Sequence, residues 1–100
     1  MEKIKLITHI LIWVIFLNKN IIIAIIKNIN AESAYKYIKY LDYDISLEQV
    51  YLILPTLKSN INLLYNNDID SLLNKLPNKV TKSSKDQLIK LFTKYIKKEG

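Results

Sequence analysis

The sequence predicts an all-α protein: a small bundle of about four amphipathic helices over residues 32–98, preceded by a hydrophobic N-terminal helix. Three observations predict this class. Beyond the N-terminal segment, apolar residues recur at intervals of three and four, which is the spacing of one helix face. The only glycine is Gly100 and the only prolines are Pro55 and Pro77, so few positions interrupt a helix. The chain also has no cysteine, so its fold must be stabilised by packing rather than by disulfides.

The N-terminal segment has the order of a secretory signal. Two lysines precede an apolar run from Leu6 to Leu17, and Ala31 is the first small residue suited to a peptidase after the apolar zone. This order predicts a leader over residues 1–31 and a separate domain over residues 32–100. The spacing is irregular, because an ordinary signal has one apolar region of about 7 to 15 residues that ends near the cut.

Two other interpretations of the N-terminal segment stay open. As one span, residues 6–26 supply about the 20 residues that a bilayer core requires, and their apolar side chains outweigh the cost of Lys19. As a buried helix of a soluble protein, the segment should show a polar face, but the five isoleucines from Ile21 to Ile26 point in every direction. The sequence therefore favours export, to a secreted, periplasmic or lumenal location, or membrane anchoring without cleavage.

The first two helices of the bundle are predicted on either side of Asp42-Tyr43-Asp44. The first extends from Glu32 to Leu41. The second begins at a capping box, in which Ser46 accepts an early backbone N–H and Gln49 reaches back. Its apolar seam keeps one phase across Pro55, which predicts one helix bent at the proline rather than two helices. The seam consists of Leu47, Val50, Leu54, Leu57, Ile61 and Leu64.

The last two helices are predicted from a turn and two capping signals. Asn66-Asn67 turns the chain, and Asp68 caps a short helix that ends before Pro77. Ser83-Ser-Lys-Asp86 caps the final helix. That helix has an apolar face opposite a stripe of lysines. The apolar face contains Leu88, Leu91, Phe92, Tyr95 and Ile96, and the stripe contains Lys90, Lys94 and Lys97.

The residue inventory excludes most catalytic sites. His9 is the only histidine, it lies in the N-terminal segment, and the chain has neither cysteine nor arginine. Histidine triads, histidine or cysteine zinc sites and arginine phosphate clamps are therefore excluded from residues 32–100. Two pairs of aspartates lie at predicted helix ends, where capping is the expected role (Asp42 with Asp44, Asp68 with Asp70). We expect a non-enzymatic protein without a metal or a cofactor.

The charge pattern indicates a mildly basic domain. The formal charge of +6 divides equally, because residues 1–31 carry four lysines and one acid while residues 32–100 carry eleven lysines and eight acids. The tyrosines are spread around the first helix and give no single platform on which bases could stack, whereas exposed tyrosines are common at protein interfaces. We therefore expect a protein partner to contact the first and last helices of the bundle. The expected contact residues are Tyr35, Tyr40, Tyr43, Lys90, Lys94 and Lys97.

Three functional hypotheses follow in order. The first is an exported, non-enzymatic helical-bundle protein that binds another protein and meets the membrane only during export. The second is a small integral membrane subunit, anchored by residues 6–26 and docked on a larger complex. The third is a weakly basic nucleic-acid-binding module.

Overall fold

The computed structural model describes residues 19–96, which form six α-helices joined by short connections. Within that range there is no strand, so the predicted all-α class is confirmed for this part of the chain. The part of the N-terminal segment before Lys19, and Lys97 of the lysine stripe, lie outside the described residues. The helices are α1 (Lys19–Asn28), α2 (Ala31–Tyr40), α3 (Leu47–Ser59), α4 (Ile61–Tyr65), α5 (Ile69–Asn74) and α6 (Lys82–Tyr95).

All six helices contribute apolar side chains to one core. α2 packs on α3, α1 packs on α3 and α4, and α5 packs on α4 and α6. Connecting segments add to this core as well, since Ile45 and Val80 are buried between helices. The largest side chains with almost no solvent exposure are Ile23, Ile45, Leu64, Leu72, Phe92 and Ile96.

α1 is a core helix with a narrow polar face. Ile22, Ile23 and Ile26 are buried in the common core. The exposed residues recur at i, i+4, i+7 and i+8, which places them on one side of the helix; they are Asn20, Ala24, Lys27 and Asn28. The inference that the segment lacks a polar face is therefore wrong for α1, because it considered the isoleucines without the polar residues that flank them.

Both ends of α1 are tied to neighbouring helices. The Nζ of Lys19 donates a hydrogen bond to the backbone carbonyl of Tyr65, at the end of α4. The Nζ of Lys58 in α3 donates to the carbonyl of Lys27 at 3.1 Å. These contacts, together with the buried isoleucines, make α1 part of the bundle rather than an extension in front of it.

α2 begins one residue earlier than the sequence predicts. Asn30 is its N-cap, and the Asn30 Oδ1 accepts the backbone N–H of Ser33 at 2.8 Å. Ala31, the last residue of the predicted leader, is the first residue of this helix and only 8% exposed. The helix ends at a turn in which Asp42 has a φ of 67°, as expected from the Asp42-Tyr43-Asp44 exit.

The capping box of α3 is confirmed in one half and wrong in the other. The Oγ of Ser46 accepts the backbone N–H of Gln49 at 3.2 Å. The Gln49 side chain does not reach back but bridges to the connection before α6. Its Nε2 donates to the carbonyl of Lys79 at 3.2 Å, and its Oε1 accepts the N–H of Thr81 at 2.9 Å. Gln49 therefore links the start of α3 to the start of α6.

The predicted single bent helix is in fact two helices. α3 continues through Pro55 to Ser59, and the break occurs at Asn60, where φ is −131° and ψ is 40°. The Asn60 side chain donates to the carbonyl of Thr56 at 2.8 Å, a local bond that competes with helix continuation. The apolar seam still faces the core after the break, because Leu64 of α4 is buried like Leu57 of α3.

The last two helices begin at side-chain caps. Asp68 caps α5 as predicted, since its Oδ1 accepts the N–H of Ser71 at 3.2 Å. α6 is capped by Thr81, whose Oγ1 accepts the N–H of Ser84 at 3.1 Å. The helix therefore begins at Lys82, before the Ser83 that the sequence signal indicated.

Candidate functional site

An apolar groove opens between α1, α2, α3 and α6. Its cavity volume is about 120 Å³, and all of its lining residues are hydrophobic or tyrosine. Val50 and Phe92 of the lining are buried, whereas Ile25 of α1, Tyr37 of α2 and Leu91 of α6 are partly exposed. Three consecutive helices and the last helix of the described chain therefore share one continuous apolar surface.

The groove offers no acid–base chemistry beyond two tyrosine hydroxyls, those of Tyr37 and Tyr95. Among residues 19–96, no cluster of three or more carboxylate or histidine side chains is placed to hold a metal ion. A surface of this composition can bind another apolar surface by excluding water, and the two tyrosine hydroxyls are its only polar side-chain groups.

A second candidate surface combines three tyrosines and one lysine from α2, α6 and the connection after α2. Burial, followed by the electrostatic effect of Tyr95, raises the pKa of the Tyr43 phenol above its ordinary value. The Nζ of Lys94 lies 5.4 Å from the centre of the Tyr95 ring, within the range of a cation–π contact. Tyr40, three residues before Tyr43, is 43% exposed. We call these four residues the tyrosine–lysine surface.

The remaining predicted contact residues take different positions. Tyr35 is partly buried against the core, and the Nζ of Lys39 lies 5.4 Å from its ring centre. Lys90 is exposed on α6, and Lys97 lies outside the described residues. Tyr95 was assigned from sequence to the buried face alone, although its half-burial also makes it part of the tyrosine–lysine surface.

The backbone connection after α2 is held against α6 at this surface. The N–H of Asp44 donates to the Oε1 of Gln87 at 3.0 Å. Gln87 and Tyr95 are eight residues apart, which places them on the same side of α6. This contact explains why Tyr43, in a connection, approaches the last helix; only a tertiary contact could reveal it.

A third polar contact joins α2 to α3. The Tyr51 hydroxyl donates a hydrogen bond to a carboxylate oxygen of Glu32. This bond lowers the pKa of Glu32 and raises the pKa of Tyr51, because it is made to the charged carboxylate. Both side chains are on the surface, so the pair marks the α2–α3 contact rather than a reactive centre.

Within residues 19–96, none of the helices has both the length and the apolar character needed to cross a membrane. Comparison of the chain with protein-family models, curated proteins and solved structures found no match.

Proposed function

We propose that the chain is a non-enzymatic helical-bundle protein that acts by binding another protein through its tyrosine–lysine surface. The observation that supports this most directly is the electrostatic effect that Tyr95 of α6 has on Tyr43, in the connection after α2. The Nζ of Lys94 also lies 5.4 Å from the centre of the Tyr95 ring. Both observations support a binding surface formed by α6 and that connection. Tyrosine supplies large contact area at a low cost in side-chain entropy, which suits a binding surface.

Binding fits the chemistry of the described residues better than catalysis does. A catalytic site needs a nucleophile or base held within hydrogen-bond reach of its partner in a cleft. The groove contains none, and the carboxylates with identified contacts have structural roles: Asp68 caps α5 and Glu32 accepts from Tyr51. The composition of the groove therefore supports the binding proposal.

The packing of α1 bears on where this protein acts. A cut after Ala31 would remove α1 from the core, and a span over residues 6–26 would withdraw Ile22, Ile23 and Ile26 from it. We therefore propose that the binding-competent chain retains residues 19–31, and that any exported version keeps its signal or is cut before Lys19. Sequencing the N-terminus of protein recovered from cells tests this, since a start at Glu32 would contradict it.

Affinity capture with matched variants tests the binding surface. We expect a protein retained by the natural chain to be lost with the double variant Tyr40→Ala and Lys94→Ala. A control double variant, Lys75→Ala and Asn78→Ala, changes two exposed residues elsewhere and should retain it. Far-UV circular dichroism should show all three chains folded.

The result of this capture also separates the competing functions. Equal retention by both double variants would contradict the proposed surface. Retention of nucleic acid instead of protein, with a steep loss as salt rises, would favour the nucleic-acid-binding hypothesis.

A further inference from the structure

Three lysines converge on Tyr65, an exposed residue at the end of α4. The Nζ of Lys19 donates a hydrogen bond to the Tyr65 carbonyl, and the Nζ of Lys27 lies 5.6 Å from the centre of the Tyr65 ring. The Nζ of Lys58 in α3 donates to the carbonyl of Lys27 at 3.1 Å. Asn62 is exposed three residues before Tyr65, on the same side of α4. We call these five residues the Tyr65 surface.

The positive charges of this surface are not neutralised by a carboxylate of the described chain. None of the three ammonium groups forms an ion pair with another described residue. Asp68, the acid nearest to Tyr65 along the chain, instead accepts the N–H of Ser71 with its Oδ1. An ammonium group has three N–H donors, and Lys19 and Lys58 each use one of them on a backbone carbonyl. These hydrogen bonds hold both ammonium groups in place and leave further donors for an anion.

The Tyr65 ring gives this surface a chemistry that charge alone does not. Tyr65 is 40% exposed, and its ring lies beside an ammonium group rather than in the core. Proteins hold single-stranded nucleic acid with this combination, because a base stacks on the ring while the cations neutralise the phosphates. An acidic peptide would use the ammonium groups but leave the ring face unused, and the bases of a duplex are already stacked on one another.

We propose that the Tyr65 surface binds single-stranded nucleic acid. A base stacks on the Tyr65 ring, and the neighbouring phosphates are held by the three lysines. The exposed amide of Asn62 is available to donate to a phosphate or to a base edge. The Tyr65 surface shares no residue with the tyrosine–lysine surface, so this activity goes beyond the proposed binding of a protein and does not depend on it.

Fluorescence anisotropy of labelled oligo(dT) with the full chain tests the proposal. We expect binding at low salt, and the logarithm of the binding constant should fall against the logarithm of the salt concentration with a slope of about −2, since each of three neutralised phosphates contributes about −0.7. Tyr65→Leu should weaken binding about 5- to 150-fold, because it removes one base stack. Tyr65→Phe should bind like the natural chain, because it keeps the ring.

A matched pair of lysine variants separates this surface from positive charge in general. Lys27→Gln should weaken binding and make the salt slope shallower by about 0.7. Lys79→Gln is the control and should leave the slope unchanged. The carbonyl of Lys79 is bonded to Gln49 at the start of α3, whereas Lys58 lies about 14 Å further along that helix.

The double variant Tyr40→Ala and Lys94→Ala should bind oligo(dT) as tightly as the natural chain, so this proposal and the protein-binding proposal can fail separately. Several results would overturn the nucleic-acid site, with circular dichroism showing each variant folded. These are no binding at low salt, tighter binding of a duplex of equal length, equal affinity of Tyr65→Leu and the natural chain, and equal slopes for the two lysine variants. Displacement of oligo(dT) by phosphatidylserine vesicles would assign the surface to a lipid headgroup instead.

Discussion

α1 and α6 come from opposite ends of the described chain, line the same groove and differ in how their sequences show it. In α6, Leu88 and Phe92 are buried while Lys90 is exposed, so its two faces are evident from the sequence. α1 packs on α3 and α4 and also lines the groove, so its apolar arc is wide and its polar face narrow. The width of the apolar face of a helix thus depends on how many helices pack against it as well as on how much of it meets solvent.

Of the changes to α1 or α6 considered below, deleting α1 should reduce the stability of the protein the most. Truncating one buried isoleucine to alanine costs about 2–5 kcal/mol, so losing three approaches the 5–15 kcal/mol of a typical domain. We expect a chain that starts at Glu32 to lose its cooperative thermal transition by circular dichroism. A chain that starts at Lys19 is the control and should retain one.

That pair of deletions also decides between α1 as a leader and α1 as a core helix. If the chain that starts at Glu32 unfolds cooperatively near the temperature of the full chain, α1 contributes little to the domain. The predicted boundary between residues 31 and 32 would then be the correct one.

A single substitution in each helix compares how much a buried residue of α1 and an exposed residue of α6 contribute to the free energy of unfolding. Ile23→Ala in α1 should lower the free energy of unfolding by about 2–5 kcal/mol, because Ile23 is fully buried. Ile89→Ala in α6 should change it by about 0.5 kcal/mol or less, because that side chain is 40% exposed. Urea denaturation of both variants gives the two values, and equal values would contradict the burial difference.

The sequence pattern identifies the buried face of α6 better than that of α1, and the reason is physical. Periodicity identifies the buried face of α6, and it also identifies most of α3 and α5, because each of these helices has one dominant apolar face. In α1 the signal was present at Asn20, Lys27 and Asn28, but the isoleucine run concealed it. Local pattern alone therefore did not reveal the polar face of a helix that packs against two others.

Other features depended on contacts that no local pattern encodes. The end of α3 at Asn60 follows from a side-chain bond to Thr56, whereas the proline that should disturb the helix lies inside it. The approach of Tyr43 to Tyr95 depends on the placement of a connection against α6. The argument from the residue inventory, that the protein is not an enzyme, stays a prediction.

The cap of α6 allows a smaller and more local test. Thr81→Ala should destabilise the protein by about 1 kcal/mol, since the Thr81 Oγ1 accepts the N–H of Ser84, one of the first-turn N–H groups that have no partner within the helix. Ser83→Ala is the control, because Ser83 is exposed inside the helix and alanine has the higher helix propensity. Urea denaturation should therefore show that Thr81→Ala is less stable than the natural chain and that Ser83→Ala is at least as stable as it. The opposite order would restore Ser83 as the cap.

The smallest expected effect is a pH dependence at the contact between α6 and the connection after α2. Burial, and then Tyr95, raises the pKa of Tyr43 above its ordinary value of 10.0, so the folded protein favours the neutral phenol. Its contribution to stability is present below that ordinary pKa and is lost as the pH rises through the folded one. We expect Tyr43→Phe to weaken the alkaline loss of stability. Urea denaturation series on either side of the ordinary pKa measure this slope. Identical slopes in the natural chain and in Tyr43→Phe would mean that Tyr43 is as accessible to water in the folded state as in the unfolded state.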